Sequence, residues 1–244
     1  MIHFFRRIRQ SLLSGSKYQS YFLYALGEIL LVVIGILIAL KINNENLIRK
    51  DIKLETQYLI SLKEEFLLNV DKLKVLDSLL GAQLDASHEL IQNIHPDHIT
   101  LSNSRFSVLM AEGFKDTYSY FPSSGVMKDL INSGKLSLIR NEELRRSLAD
   151  WDSHIVQLKE AENESKLASY QVVEILRTDG NFREQMDGAF KALGTGPSPF
   201  EGSNTSLLKS EIFENSVVYF TGITWRLKNA IYPDLIEQMT VMVY

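Results

Sequence analysis

The chain has no cysteine. Disulfides, thiolate nucleophiles, iron–sulfur clusters and cysteine-ligated zinc are therefore excluded, and no lipoprotein anchor can form. Long low-complexity tracts are missing too, and with 45% hydrophobic and 10% aromatic residues the 244-residue chain has the composition of a folded protein. A surplus of positive charge is also lacking. Up to Ile42, the residues Arg6, Arg7, Arg9, Lys17 and Lys41 stand against Glu28, a balance of +4, which leaves −8 of the formal −4 on the remainder. A domain that acidic has no basic stripe to hold a phosphate backbone, so nucleic acid is not expected as a partner. Glycine-rich phosphate cradles are absent as well, because Gly194-Thr195-Gly196-Pro197 has neither the following lysine nor a strand–turn–helix setting. No cofactor is expected.

What the chain does have is one long apolar run. Tyr21 to Ile42 reads YFLYALGEILLVVIGILIALKI, close to the ~20 helical residues that cross a ~30 Å hydrocarbon core. A cleaved signal peptide would have a shorter apolar core and a small-x-small site after it, whereas Lys41, Ile42, Asn43, Asn44 and Glu45 follow here. An uncleaved signal anchor is expected, making this a single-pass protein of the cytoplasmic (inner) membrane. Arg6, Arg7, Arg9 and Lys17 precede the run without an acid among them. That bias places the N-terminus inside and the domain in the periplasm. Residues 1–20 read as a short basic cytoplasmic segment, with Phe4, Phe5, Ile8, Leu12 and Leu13 on one side of an interfacial helix. Within the run, Gly27, Gly35 and Ala39 draw a line of small residues that would let another membrane helix approach, and Glu28 is an ionisable group near the cytoplasmic end.

Three stretches carry a resemblance: Phe4-Phe5-Arg6-Arg7-Ile8-Arg9-Gln10, then Tyr24 to Ile29 with Val32 to Leu40, and finally Leu130-Ile131-Asn132-Ser133-Gly134-Lys135-Leu136 through Ile139-Arg140-Asn141-Glu142-Glu143-Leu144-Arg145. In these the chain resembles domain of unknown function 6090, a family of uncharacterised single-pass proteins of Bacteroidota. Where that family tends to read Gln-Ile-Asn-Asn-Trp after the apolar run, this chain has Lys41-Ile42-Asn43-Asn44-Glu45 and lacks the interfacial tryptophan. The resemblance implies a membrane-anchored helical protein. It implies no catalytic residue.

Residues 43–244 form the expected extramembrane domain, all-α. Ile52, Leu59, Phe66, Leu73 and Leu80 recur every seven residues, with Leu62 and Leu76 on the companion seam where Glu55, Asn69 and Gln83 interrupt it. The pattern is that of a coiled coil, but the interruptions leave half of one seam without apolar knobs. A long helix packed in an antiparallel bundle is the expectation, continuous with the membrane helix. Pro96 ends it, and a second helix follows from about Ser102. Pro122-Ser123-Ser124-Gly125 is a turn whose serines are expected to cap the next helix near Val126. Gly134 suits the left-handed position after that helix, and Asn141 caps another with Glu142 and Glu143 in its first turn. Its apolar face runs Leu144, Leu148, Trp151, Ile155 and Leu158. Residues 179–205 read as irregular, helical period resumes from Leu207 to Ile231, Pro233 introduces a kink, and Met239 to Val243 pack on the bundle or near the bilayer.

Few residues point to chemistry. His95, His98 and Asp97, with Asp85 or His88 nearby in sequence, are the candidate metal ligands, although their spacing matches no closed zinc site. Ser14-Gly15-Ser16-Lys17 and Ser206-Leu207-Leu208-Lys209 satisfy S-x-x-K without the companion motifs of the enzymes that use it. The acidic runs Glu64-Glu65 and Glu160 to Glu164 read as solvated helix faces, and Arg140, Arg145 and Arg146 as charge balance on an acidic bundle, with receipt of an anion or a partner's carboxylate as the alternative. No catalytic residue is assigned. The reading is a membrane-anchored interaction or scaffold protein of the cell envelope, which binds another envelope protein or itself. A single-pass sensor of a small ligand is the alternative, and a membrane-associated hydrolase is third.

Overall fold

The computed structural model describes residues 18–243, with side chains from Tyr21 onward. The basic interfacial segment and the Ser14–Lys17 motif lie outside the described residues. All regular structure among the described residues is helical. Seven α-helices follow one another: α1 Tyr18–Gln92, α2 Asn103–Phe114, α3 Gly125–Asn132, α4 Glu142–Asp179, α5 Phe182–Ala189, α6 Glu211–Arg226 and α7 Tyr232–Val243. The chain divides between Gln57 and Tyr58 into two compact units.

The first unit consists, in its described part, of the beginning of α1. No glycine or proline interrupts the sequence between Gly35 and Gly81, which removes the two commonest causes of a helix break. From Leu26 to Lys50 every side chain is exposed. By length and composition α1 is apolar enough to cross a membrane.

The second unit, from Tyr58 on, has two hydrophobic cores. One collects Leu62, Phe66, Leu73 and Leu80 of α1, Met127 and Leu130 of α3, Leu148, Trp151 and Leu158 of α4, and Tyr232, Leu235 and Met239 of α7. The other collects Leu90 of α1, Phe106 and Leu109 of α2, Val172 and Leu176 of α4, and Phe213 and Phe220 of α6. Along this unit α1 and α4 both run from the first core to the second. The pair α6 and α7 runs back, because Phe213 sits in the second core and Met239 in the first. The result is an antiparallel bundle, as the heptad pattern with its polar gaps implied.

Local chemistry sets the helix ends. Ser102 Oγ accepts the Arg105 N–H, Asn141 Oδ1 accepts from Glu143 and Leu144, and Ser210 Oγ accepts from Phe213. Each satisfies one or two of the donors that a helix start leaves open. Gly134, at φ 70°, holds the left-handed position that ends α3. Before Pro233 the helix widens into a π-turn over Leu227–Ile231, where the Tyr232 N–H reaches the Leu227 carbonyl. A proline inside a helix has no N–H to give and crowds the carbonyl one turn earlier, and a π-turn is one way to relieve that conflict. Within the stretch read as irregular, Asn181 caps the two-turn helix α5, and 3₁₀ turns follow at Lys191–Leu193 and Asn204–Lys209.

Candidate functional sites

The polar gaps in the α1 seam are where the structure concentrates its long-range hydrogen bonds. Asn69 is buried and grips Ser123 at both ends: its Nδ2 donates to the Ser123 carbonyl at 2.7 Å and its Oδ1 accepts the Ser123 N–H at 2.7 Å. Gln83, also buried, donates through Nε2 to the carbonyls of Gly113 (3.0 Å) and Asp116 (2.8 Å). Between them Lys72 Nζ donates to Ser123 Oγ at 2.8 Å and to the Phe121 carbonyl at 3.2 Å. These residues hold a non-helical strap, residues 115–124, which returns the chain from the second core at Phe114 to the first at Tyr120. An irregular segment crossing a core has backbone groups without helical partners, so the helix beneath it must supply them.

The expected serine cap on α3 is corrected here. Ser124 occupies the N-cap position but makes no side-chain capping bond. Glu65 of α1 caps the helix from outside, its two carboxylate oxygens accepting the N–H groups of Val126 at 2.9 Å and Met127 at 3.2 Å. A carboxylate satisfies those donors better than a hydroxyl because it also complements the helix dipole.

A second correction concerns Glu160 to Glu164. Glu162 is not solvated: it is 3% exposed. Its Oε1 accepts the Tyr120 N–H at 2.8 Å and the Tyr232 hydroxyl at 3.0 Å, while Oε2 pairs with Lys159 Nζ at 2.9 Å. Lys159 also donates to the Tyr120 carbonyl, so both backbone groups of that strap residue are taken by α4. Burial, and after it the Glu162 carboxylate, pushes the Tyr120 and Tyr232 hydroxyls well above the usual tyrosine range. Both phenols therefore stay protonated and serve as neutral donors or core side chains. The network joins the strap, α4 and α7, and its chemistry is structural.

Other sequence candidates take separate places. His95 and His98 stack with ring centroids 3.6 Å apart, and His95 Nδ1 accepts the Asp97 N–H at 3.1 Å. The His95 N–H donates to the Leu208 carbonyl, tying this turn to the 3₁₀ turn before α6. Among the described residues no three histidine or carboxylate side chains gather into a metal-holding group. Lys209 is turned towards the Asp97 carbonyl at 3.4 Å, and exposed Ser206 forms no bond with it. Arg145 donates to the Ile139 carbonyl of the α3–α4 connection and Arg146 to that of Glu142 in the first turn of α4. In the apolar part of α1 a side chain added at Gly27 or Gly35 would meet nothing within 4 Å, and Glu28 and Ala39 are exposed on the same uncovered helix.

Two surface features of the second unit stand apart from these networks. The outer face of α6 presents Ile212, Val218, Tyr219 and Trp225, the last two 52% and 55% exposed, with bare Gly222 among them. At 100° per residue these lie on one side of the helix, opposite Phe213, Val217, Phe220 and Thr224. Sequence periodicity found the buried face of this helix and passed over the outer one, although the apolar residues flanking Gly222 were there to be read. The second feature is a groove of about 580 Å³ between α4 and the stretch from the end of α6 to α7. Its lining includes His154, Glu160 and Glu164 on one side and Arg226, Ala230 and Asp234 on the other.

Residues 28–182 match the family of unknown function DUF6090, and the chain belongs to it. The match begins at Glu28, after the Phe4–Gln10 signature, and takes in the strap and the residues that hold it, but ends before α6 and α7. No curated protein and no solved structure matches the chain.

Proposed function

We propose that this member of the family is a membrane-anchored interaction module whose helical domain docks another protein of the cell envelope through the outer face of α6. The observation that carries the reading is the apolar stripe of Ile212, Val218, Tyr219 and Trp225 around Gly222, left uncovered on a helix whose opposite face is fully packed. Exposed aromatics beside a residue with no side chain are the composition of an interface centre, where Trp and Tyr carry most of the binding energy. The apolar run of α1 supplies the anchor. The basic flank formed by Arg6, Arg7, Arg9 and Lys17 favours a cytoplasmic N-terminus and a periplasmic domain, with α1 acting as a signal anchor.

A photo-crosslinking amino acid placed at Val218 or Gly222 of the full-length protein, in its native membrane, tests the docking face. Adducts of one defined mass from both positions, lost on Trp225→Ala and absent when the probe is at exposed Asp152, are the expected result. Adducts that appear equally from Asp152, or from none of the positions, would remove the basis of the reading. Reporters fused to each end decide the orientation. A cytoplasmic signal from the C-terminal reporter would reverse it.

A second reading, a single-pass sensor of a small ligand, is favoured by the groove between α4 and α7. Its volume lies inside the range of small-molecule sites, and buried Leu158 and Leu235 form its floor.

A further inference from the structure

The groove carries charges of both signs. Three carboxylates, Glu160, Glu164 and Asp234, line it together with the guanidinium of Arg226. Among the described residues Arg226 nevertheless makes no ion pair and no hydrogen bond. Opposite charges that share a surface depression attract one another, although an exposed pair gains little once two long side chains are held in one geometry. Here none of the three acids pairs with the guanidinium. Arg226, Ala230 and Asp234 stand at steps of four on one wall, which separates the guanidinium from the Asp234 carboxylate by two helical turns. Glu160 and Glu164 belong to the opposite wall, on α4.

The acids retain capacity for a ligand as well. Glu160 has no partner within the described residues. Glu164 uses one oxygen to accept the Tyr219 hydroxyl at 3.1 Å, and Asp234 uses one to accept Gln238 Nε2 at 2.9 Å. The other oxygen of each carries no bond. Beneath the charges lie Leu158, Ala161, Ile231 and Leu235. Ala230 and Ile231 belong to the π-turn, an irregularity that costs helix hydrogen-bond geometry and recurs at functional sites.

We propose that the groove binds a zwitterion, a free α-amino acid or a short peptide with an apolar side chain. Arg226 receives the carboxylate, Glu160 with the free oxygen of Glu164 on the opposite wall receives the ammonium group, and the side chain lies on the apolar floor. A guanidinium fork matches a carboxylate with two parallel hydrogen bonds, whereas an acid-lined wall matches an ammonium group with its three donors. A simple cation would leave Arg226 unused and repelled, and a simple anion would face three carboxylates. Only a ligand carrying both charges uses both walls. The inference extends the sensing reading and is independent of the docking face on α6.

The test uses the full-length chain in detergent micelles and four probes followed by calorimetric titration: L-leucine, L-leucyl-L-leucine, L-leucine methyl ester and N-acetyl-L-leucine. At least one of the first two is expected to bind. The ester lacks the carboxylate and the acetyl derivative lacks the ammonium group, so each should bind at least roughly tenfold more weakly, the loss of one charge-assisted contact. Arg226→Gln should lower affinity for the zwitterion by a similar factor and leave the ester unaffected, and Glu160→Gln should weaken the zwitterion and the ester together. Both side chains are exposed, so thermal unfolding of the variants should match the parent. A free amino acid that binds more tightly than the dipeptide assigns the first as ligand, and the reverse assigns the second. Binding of the ester or the acetyl derivative as tight as the zwitterion overturns the assignment and leaves sensing of another ligand in place. The absence of binding by either zwitterion overturns it together with that reading.

Discussion

Replacing Glu162 by alanine should cost the helical bundle about 4 kcal/mol, because two buried donors lose their only acceptor. The Tyr120 N–H and the Tyr232 hydroxyl both end on Glu162 Oε1, and both tyrosines are essentially inaccessible to water, at 0% and 1% exposure. A buried donor left without a partner costs ~1–3 kcal/mol, and two of them give the larger part of the effect. The ion pair to Lys159 adds little, because that side chain is 36% exposed and can return to solvent. A domain of this size is stabilised by ~5–15 kcal/mol in total, so the variant should remain folded with a much lower midpoint. Glu162→Gln keeps one acceptor oxygen and should recover about half of the loss.

Trp151 provides the assay. It is buried edge-on against Phe66 in the first core, with ring centroids 5.2 Å apart, while the chain's other tryptophan, Trp225, is exposed. In a Trp225→Phe background, fluorescence therefore reports the core alone. With urea m-values of ~1–3 kcal/mol/M, the expected loss moves the midpoint down by more than about 1 M. Glu160→Ala, two residues away on the exposed face of the same helix, should change stability by no more than about 0.5 kcal/mol. Equal effects from the two substitutions, or a Glu162→Ala loss under about 1 kcal/mol, would show that Tyr120 and Tyr232 find other acceptors.

Asn69→Leu supplies the apolar knob that the α1 seam lacks, yet it should destabilise by about 2 kcal/mol because the Ser123 N–H and carbonyl lose both partners; a gain in the same urea assay would refute the gripping role. Gly188→Ala places a methyl 2.8 Å from Ser107 Oγ and 3.0 Å from Ser107 Cβ, an overpacking that should cost ~1–3 kcal/mol and lower the thermal midpoint, whereas Gly222→Ala meets no neighbour and should be neutral or stabilising. Raised phenol values at Tyr120 and Tyr232 stabilise the fold fully below the ordinary value of about 10, and that contribution is lost as pH rises above it. The urea midpoint should therefore fall between about pH 9.5 and 11.5, with a shallower slope in Tyr232→Phe, and a pH-independent midpoint in that window would refute the assignment.

The elements that could be read in advance are those governed by neighbours in sequence. The uninterrupted apolar run and heptads of α1, the stop at Pro96, the cap at Asn141 and the left-handed Gly134 each depend on residues within about one turn of one another. Glu65, Asn69, Gln83 and Glu162 could not be read in this way. Their partners stand 61, 54, 30 and 42 residues away. In a one-dimensional pattern a polar residue in an apolar seam looks like a defect, and an acid in an acidic run looks like solvent-facing charge. Burial alone separates Glu162 from Glu160, and it depends on a strap that the helical period does not encode. The candidate groove was illegible for the same reason, since its two walls come from stretches about seventy residues apart that only the antiparallel return of α6 and α7 brings together.

These misread residues bear on how the long helix works. An α1 built only to join an anchor to a bundle would be most stable with leucine at Asn69 and Gln83, which would form a continuous seam indifferent to small changes of register. The polar residues make the packing of its part beyond Tyr58 specific instead. A bidentate amide bond at 2.7 Å tolerates neither a one-residue slip nor a rotation, whereas leucine knobs tolerate a fraction of each. Asn69, Lys72 and Gln83 hold one register between α1 and the strap, Glu65 fixes the start of α3 beside it, and Glu162 joins the strap to α4 and α7. Polar contacts inside a core give up stability for a unique arrangement. In this bundle the unique arrangement extends from the strap to both walls of the zwitterion groove.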